Sequence, residues 1–269
     1  MARKNTITIP DRLKPFVRAV WYIDGSADNA FPNYADGTPG IVFQQRDTGI
    51  FACENPAKIP GGYVFGQTIK PVILNAPKNC AIVGIAFYPH VLQSIFRFNA
   101  SEITDNFVDL SLLPDKPSMD PTCQLWNTAD PQTQFAVIFR YLEALIEKNE
   151  AEPDKGLQYA VSRIFQGKEG ISFKKIHTDL NISERTFQRK FEQHVGISPR
   201  LLANIAQFQA ALKQLKDGKY THLSDIAYEN GYADQSHFIR AFKRFTGSSP
   251  LQFIKQRKGG DEIGMSESL

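Results

Sequence analysis

The strongest hydrophobic periodicity lies near the C-terminal end of the chain. Phe238, Phe242 and Phe245 fall at i, i+4 and i+7, one apolar stripe along a helix. At 100° per residue Arg240 lies about 160° from Phe242, with Ser236 and His237 nearby. Asp234 stands where its carboxylate can accept from the free amides of a first helical turn. Upstream, Leu223, Ile226 and Ala227 outline a shorter helix that Gly231 ends, because glycine adopts the left-handed conformation readily. Residues 222–250 are therefore predicted to be two helices joined by a tight turn. One face of the second helix is aromatic core; the other offers Gln235, Ser236, His237 and Arg240. A short helix of that kind suits a DNA major groove.

The same grammar occurs earlier, over residues 176–199. Ser183, Phe187, Arg189, Phe191, Gly196 and Pro199 each recur 51 residues later, as Asp234, Phe238, Arg240, Phe242, Gly247 and Pro250. Before the turn the offset is 50, from Ile176 to Ile226 and from Ile182 to Tyr232, so Ala233 is one inserted turn residue. A repeat of this period fixes architecture before any single helix does. A pair of amphipathic hairpins with no nucleic-acid role would not need to copy cap, aromatic pair, arginine and Gly-x-Ser-Pro end together.

The N-terminal half has a different pattern. A short helix is expected over Asp11–Arg18, leading to the apolar Val20–Asp24. Short apolar runs follow at 41–44, 50–53, 62–66, 72–75 and 80–88, separated by Gly, Pro, Asp and Asn clusters. Many short strands so punctuated imply a small sandwich or barrel. His90–Phe98 reads as helix, Pro114–Pro131 as a proline-rich loop, and Gln132–Lys148 as an amphipathic helix. That last helix is the candidate dimerisation element, although packing against the chain's own core explains its apolar face equally well. Glu147–Lys155 is the candidate linker, and Gly156–Gly170 opens the next domain with a helix. The fold class is thus multi-domain α+β. An N-terminal strand-rich domain with helices (barrel or sandwich) precedes a C-terminal all-α domain that carries the two helical hairpins. The boundaries are 1–150 for the strand-rich domain, 151–258 for the double unit, and 259–269 for an acidic, disordered tail.

Charge sharpens this division. Residues 1–154 hold 13 Lys and Arg against 17 Asp and Glu, a balance of −4; residues 155–258 hold 18 against 8, a balance of +10. A basic C-terminal domain beside an acidic N-terminal one is the footprint of local nucleic-acid binding. The chain has 42% hydrophobic and 22% charged residues, an ordinary globular composition. It has no apolar run of the roughly 18 residues a membrane span needs, and Met1–Thr6 is not followed by the apolar core of a secretory signal. Cys53, Cys80 and Cys123 have no metal-type spacing and read as thiols in a reducing cytoplasm.

The repeated unit resembles the C-terminal DNA-binding domain of AraC/XylS-type transcriptional regulators, over roughly residues 155–256. The resemblance rests on Ile226-Ala-x-x-x-Gly231-Tyr232, on Asp234-x-Ser236-x-Phe238-x-Arg240-x-Phe242-Lys243, and on Gly247-x-Ser-Pro250. It implies two helix-turn-helix units joined by a long helix, their second helices entering successive major-groove segments on one face of the DNA. Arg185, Gln188 and Arg189 would then read bases from the first, and Gln235, Ser236, His237 and Arg240 from the second. The linker helix would span about Arg200–Lys216. The family usually has arginine where this chain has Gln207. A looser likeness to an N-terminal regulatory domain of such proteins rests on Leu13-Lys-Pro-Phe-Val-x-x-x-Trp21, Asp36-Gly-x-x-x-Ile-Val-Phe43 and Gly84-Ile-x-Phe-x-Pro89. It implies that residues 1–150 are a sensor or oligomerisation domain, a cupin-like barrel that takes a small effector and contributes to dimerisation.

Lys190, Lys243 and Arg244 fit phosphate contacts, which position a protein without specifying sequence. The expected partners are double-stranded DNA, an unidentified small-molecule effector, RNA polymerase and a second copy of the chain; no membrane partner is expected. No cofactor, metal site or catalytic residue is assigned. Residues 1–154 hold a single histidine, His90, too few ligands for a metal cupin, and no Gly-x-Ser-x-Gly elbow or phosphate-binding loop occurs. Trp21, Tyr22, Phe43, Tyr63, Phe65, Phe87 and Tyr88 could line a barrel, but at small-barrel size packing the core is the simpler role. The alternative reading is an N-terminal enzyme or redox-sensing domain tethered to a DNA-binding module.

Overall fold

The computed structural model describes residues 7–24, 29–45, 51–52, 59–76, 80–113, 121–167 and 171–258. The expected acidic tail, Cys53 and the start of the proline-rich loop lie outside them. Among the described residues the strands form two sheets. The larger has β1 (Val17–Asp24), β7 (Ala81–Phe87), β3 (Gly40–Gln44), β5 (Gly62–Phe65) and β8 (Phe107–Asp109), in that order. The smaller sets β6 (Val72–Ala76) between β2 (Asn29–Asn33) and β4 (Phe51–Ala52). Every pairing is antiparallel.

Side chains of the larger sheet alternate between two cores, as the two-residue strand period demands. Ile41, Phe43, Val64, Val83, Ile85 and Phe87 point to one face, where α1 (Leu92–Phe96) and α3 (Pro131–Lys148) close over them. Val42, Tyr63 and Ile82 point to the other, beside Trp21, Phe65 and Leu74. The indole of Trp21 lies across Gly84, where a Cβ would sit 2.1 Å from its ring, so bare backbone at β7 seats the largest side chain of that layer. Phe65 occupies the same relation to Gly40. Tyr22, Phe43 and Phe87 belong to the helix-covered core, and Tyr88 is exposed.

The apolar face of α3 is spent inside the chain. Phe135, Val137, Ile138, Tyr141, Leu142 and Leu145 are all buried in the first core, whereas Gln132, Ala136, Arg140 and Glu147 face outward. The intramolecular reading of this helix therefore accounts for its pattern without a second copy.

Three expectations differ from the structure. Residues 11–16 form hydrogen-bonded turns rather than a helix; Pro15 supplies no amide, and the chain enters β1 at Val17 to pair with β7. The stretch read as a proline-rich loop contains α2 (Pro121–Leu125). Strands β2 and β8 were not expected: β2 carries Pro32 and both are sheet edges, the position where a missing amide is tolerated.

The second core gathers α4 (Lys155–Gln166), α5 (Phe173–Asp179), α6 (Glu184–Val195), α7 (Pro199–Asp217), α8 (Leu223–Glu229), α9 (Gln235–Thr246) and α10 (Pro250–Lys258). Ala35 of the N-terminal half is buried in this core as well, and Tyr34 and Ile69 pack on it. The two halves thus share a packed boundary.

Candidate nucleic-acid interface

Two helix pairs, α5–α6 and α8–α9, carry the repeat. Ser183 caps α6 by accepting from the Thr186 amide at 3.2 Å, and Asp234 caps α9 by accepting from the His237 amide at 2.7 Å. Both helices end in a left-handed glycine, Gly196 at φ +91° and Gly247 at φ +78°. Each such cap gives an orphan carbonyl of the last turn a partner. The turns match too: Ile182 donates to the His177 carbonyl and Tyr232 to the Ala227 carbonyl, at the offset of 50. Gly231 is left-handed at φ +74°, and its counterpart Asn181 holds the same conformation at φ +52°. Asparagine tolerates it better than most residues. Asn181 was not singled out from sequence, although the offset pointed to it.

The aromatic stripes are core. Phe187, Phe191, Phe238, Phe242 and Phe245 are each at most 1% exposed, burial that contributes about 1.5–3 kcal/mol per side chain. Phe238, Phe242, Phe208 and Phe245 follow one another in edge-on and tilted contacts at centroid distances of 5.0–5.7 Å. Locking the stripe inward fixes what the opposite face presents. Arg185, Gln188 and Arg189 on α6, and Gln235, Ser236, His237 and Arg240 on α9, are all exposed, as are Lys243 and Arg244.

Among the described residues two candidates have side-chain hydrogen-bond or ion-pair partners. Gln188 donates to the Glu184 carboxylate at 3.1 Å. Lys190 is paired with Asp154, the cap of α4, at 2.5 Å. This half-exposed pair lies beside the buried His90 at the boundary between the two halves. Burial alone would raise the Asp154 carboxyl, but the Lys190 ammonium and the Leu157 amide outweigh it and hold it below the usual range. His90 is 2% exposed, and neither of its ring nitrogens has a hydrogen-bond partner among the described residues. Burial depresses it to about 4; Asp154 opposes that and His194 adds to it. His194, on α6, is depressed by burial as well.

The connecting helix α7 spans Pro199–Asp217, one residue beyond the expected span at each end. It holds the second turn directly. Gln207 donates to the Asn230 carbonyl at 2.8 Å, at the position where the resemblance noted from sequence implies an arginine. The Asn230 amide in turn donates to Gln214 at 2.7 Å. A side-chain donor to the end of α8 is thus present in this chain with glutamine in place of arginine.

The N-terminal half reaches the double unit at several points. Thr104 donates to the Gly196 carbonyl at 2.7 Å, and helical turn Ala100–Ile103 packs on α6. Gln209 of α7 donates to the Ala35 carbonyl. The Arg18 guanidinium donates to the Thr38 hydroxyl at 2.8 Å and lies 5.6 Å from the centre of the Phe165 ring. These contacts, and a role for Tyr232 described below, left no signal in the sequence pattern. Among the described residues no group of three or more His, Cys, Asp or Glu side chains could hold a metal ion.

Comparison with known proteins is consistent with this geometry. Residues 176–256 match a helix-turn-helix domain family, and residues 6–109 match a domain family of unknown function, DUF6597. The chain is similar to an uncharacterized HTH-type transcriptional regulator of Haemophilus influenzae, 36% identical over 74 residues, which is 28% of this chain and 24% of that protein. It is also similar to the HTH-type transcriptional activator RhaS of Escherichia fergusonii, 34% identical over 91 residues, 33% of this chain and 32% of that protein. The chain therefore spans a quarter to a third of the length of these relatives. Among solved structures, ToxT from Vibrio cholerae superposes with a TM-score of 0.45 at 14% identity, over 90% of this chain and 98% of that one.

Proposed function

We propose, from the premise that residues 176–256 form a helix-turn-helix domain of the AraC/XylS type, that this chain is a sequence-specific DNA-binding transcriptional regulator. The observation that carries this reading is the duplicated unit itself. Two capped helices of twelve residues each bury a phenylalanine stripe and turn arginine, glutamine and other polar groups outward. Such helices enter successive major-groove segments about 34 Å apart. Arg185, Gln188 and Arg189 would read one segment, and Gln235, Ser236, His237 and Arg240 the other. Lys243 and Arg244 would hold phosphates.

Lys190 would join them only by leaving Asp154.

The N-terminal half is read as a sensing domain for a small effector, acting in the cytoplasm. Its contacts with α6 and α7 support that role, since a change there would reach the first reading helix and the connecting helix together. RNA polymerase and a second copy of the chain are the further partners of this reading. No helix among the described residues is long and apolar enough to cross a membrane.

The test is binding of the full chain to DNA upstream of its own gene and to shuffled DNA across a salt series. A preference of about 10³ or more for the upstream DNA is expected of a specific regulator. Steep salt dependence with no preference would leave only a basic scaffold.

A further inference from the structure

Between α7 and α9 lies an open cleft of about 200 Å³. Asn204 and Gln207 line it from α7, Tyr232 from the turn, and His237, Arg240 and Arg244 from α9; no carboxylate lines it. Tyr232 is 4% exposed, yet its hydroxyl has no hydrogen-bond partner among the described residues. Buried hydroxyls are nearly always bonded, so one left without a partner calls for a reason. The ring cannot easily turn away. It stands edge-on to the His237 imidazole at 5.3 Å and tilted on Phe238 at 5.4 Å.

The chemistry of the cleft is that of a donor site. Burial raises the Tyr232 phenol above its usual range, so it keeps its proton and stays available as a donor. The Arg244 guanidinium lies over the Phe245 ring at 5.5 Å, which fixes its place at the rim. Neither Arg240 nor Arg244 forms an ion pair among the described residues. One hydrogen of the Gln207 amide is given to the Asn230 carbonyl, and Asn204 brings a second amide donor from α7. Donors from three elements line the cleft with no carboxylate among them, and a tetrahedral oxyanion can accept from each.

We propose that this cleft is a phosphate seat, in which the Tyr232 hydroxyl, the Asn204 amide and the Arg244 guanidinium hold one phosphate group while Arg240 stays free for the groove. The phosphate belongs to the backbone of the duplex whose bases α9 reads, which rests on the function proposed above. The seat couples the connecting helix to the DNA and sets the depth at which α9 enters.

The test uses the full chain and Tyr232→Phe, which removes one oxygen and keeps the ring. Thermal midpoint, affinity for upstream and shuffled duplex, and stabilisation by inorganic phosphate are measured for both. Tyr232→Phe should keep or raise the midpoint, since no internal bond is lost, and weaken both duplexes about tenfold alike, since a phosphate contact carries no sequence. Arg244→Ala should reduce the slope of log affinity against log salt by about 1. If inorganic phosphate stabilises the wild type but not Tyr232→Phe while duplex affinity is unchanged, the seat stands and its occupant is a free phosphate or a phosphorylated small molecule. A lowered midpoint would mean the hydroxyl has an internal partner, and equal behaviour of the two proteins in every assay would mean it has no ligand; either overturns the seat. Should the wild type bind no duplex, the DNA reading has failed, and the phosphate measurement alone decides the seat.

Discussion

The hydroxyl of Thr104 donates to the carbonyl oxygen of Gly196 at 2.7 Å, tying the N-terminal half to the end of α6. That helix ends on Gly196 in the left-handed conformation, and a Cβ there would lie 2.9 Å from the Ala100 carbonyl oxygen. One residue thus ends the helix and admits the neighbouring domain. Thr104→Val should lower unfolding free energy by about 1 kcal/mol, the net worth of one such bond. Gly196→Ala should cost about 1–3 kcal/mol, through the positive φ and the crowding together. Denaturant titration of both variants checks this. An unchanged midpoint for Gly196→Ala would show that the two halves do not pack as described.

The buried histidine at the same boundary makes stability depend on pH. His90 titrates near 4 in the folded chain, mainly because burial disfavours its charged form, and near 6.5 when unfolded. The unfolded chain therefore binds the proton first as pH falls. The contribution is intact above about pH 6.5 and is lost progressively down to about 4, by at most about 3 kcal/mol. The groups facing His90 there are Asp154 and His194, with Lys190 paired to Asp154. His90→Leu should flatten the thermal midpoint between pH 6.5 and 4.5 relative to wild type. Parallel curves for the two proteins would remove His90 from the account.

Gln207 offers a test of how α7 holds the second unit. Gln207→Leu leaves the Asn230 carbonyl without its side-chain donor and should cost about 1 kcal/mol. Gln207→Arg should recover most of that, because a guanidinium can donate to the same carbonyl. Thermal midpoints of the three proteins measure it; an arginine variant as weak as the leucine one would show that a guanidinium cannot make this contact.

Much of the C-terminal half was legible because the determinants are local. Ser183 and Asp234 mark helix starts, Gly196 and Gly247 mark ends, and the phenylalanine spacing gives the buried face. Asn181 escaped notice because only its backbone conformation, shared with Gly231, reveals its part. In the N-terminal half the apolar runs located five strands, but β8 has three residues and β2 holds a proline, so neither showed a period. What joins the halves was not legible. Thr104 and Gly196 are 92 residues apart, and Lys190 looked like any surface cation until Asp154 was placed beside it. The orphan hydroxyl of Tyr232 is likewise visible only once packing has closed around it.

If α6 and α9 each read one groove segment, footprints of Arg189→Ala and Arg240→Ala on the upstream DNA will tell the two segments apart. Each variant should lose about 1–3 kcal/mol of preference for the upstream site, and the lost protection should fall on different segments about one helical turn apart. If both variants weaken upstream and shuffled DNA equally, with no segment singled out, these arginines hold backbone rather than bases and the two-segment account is contradicted.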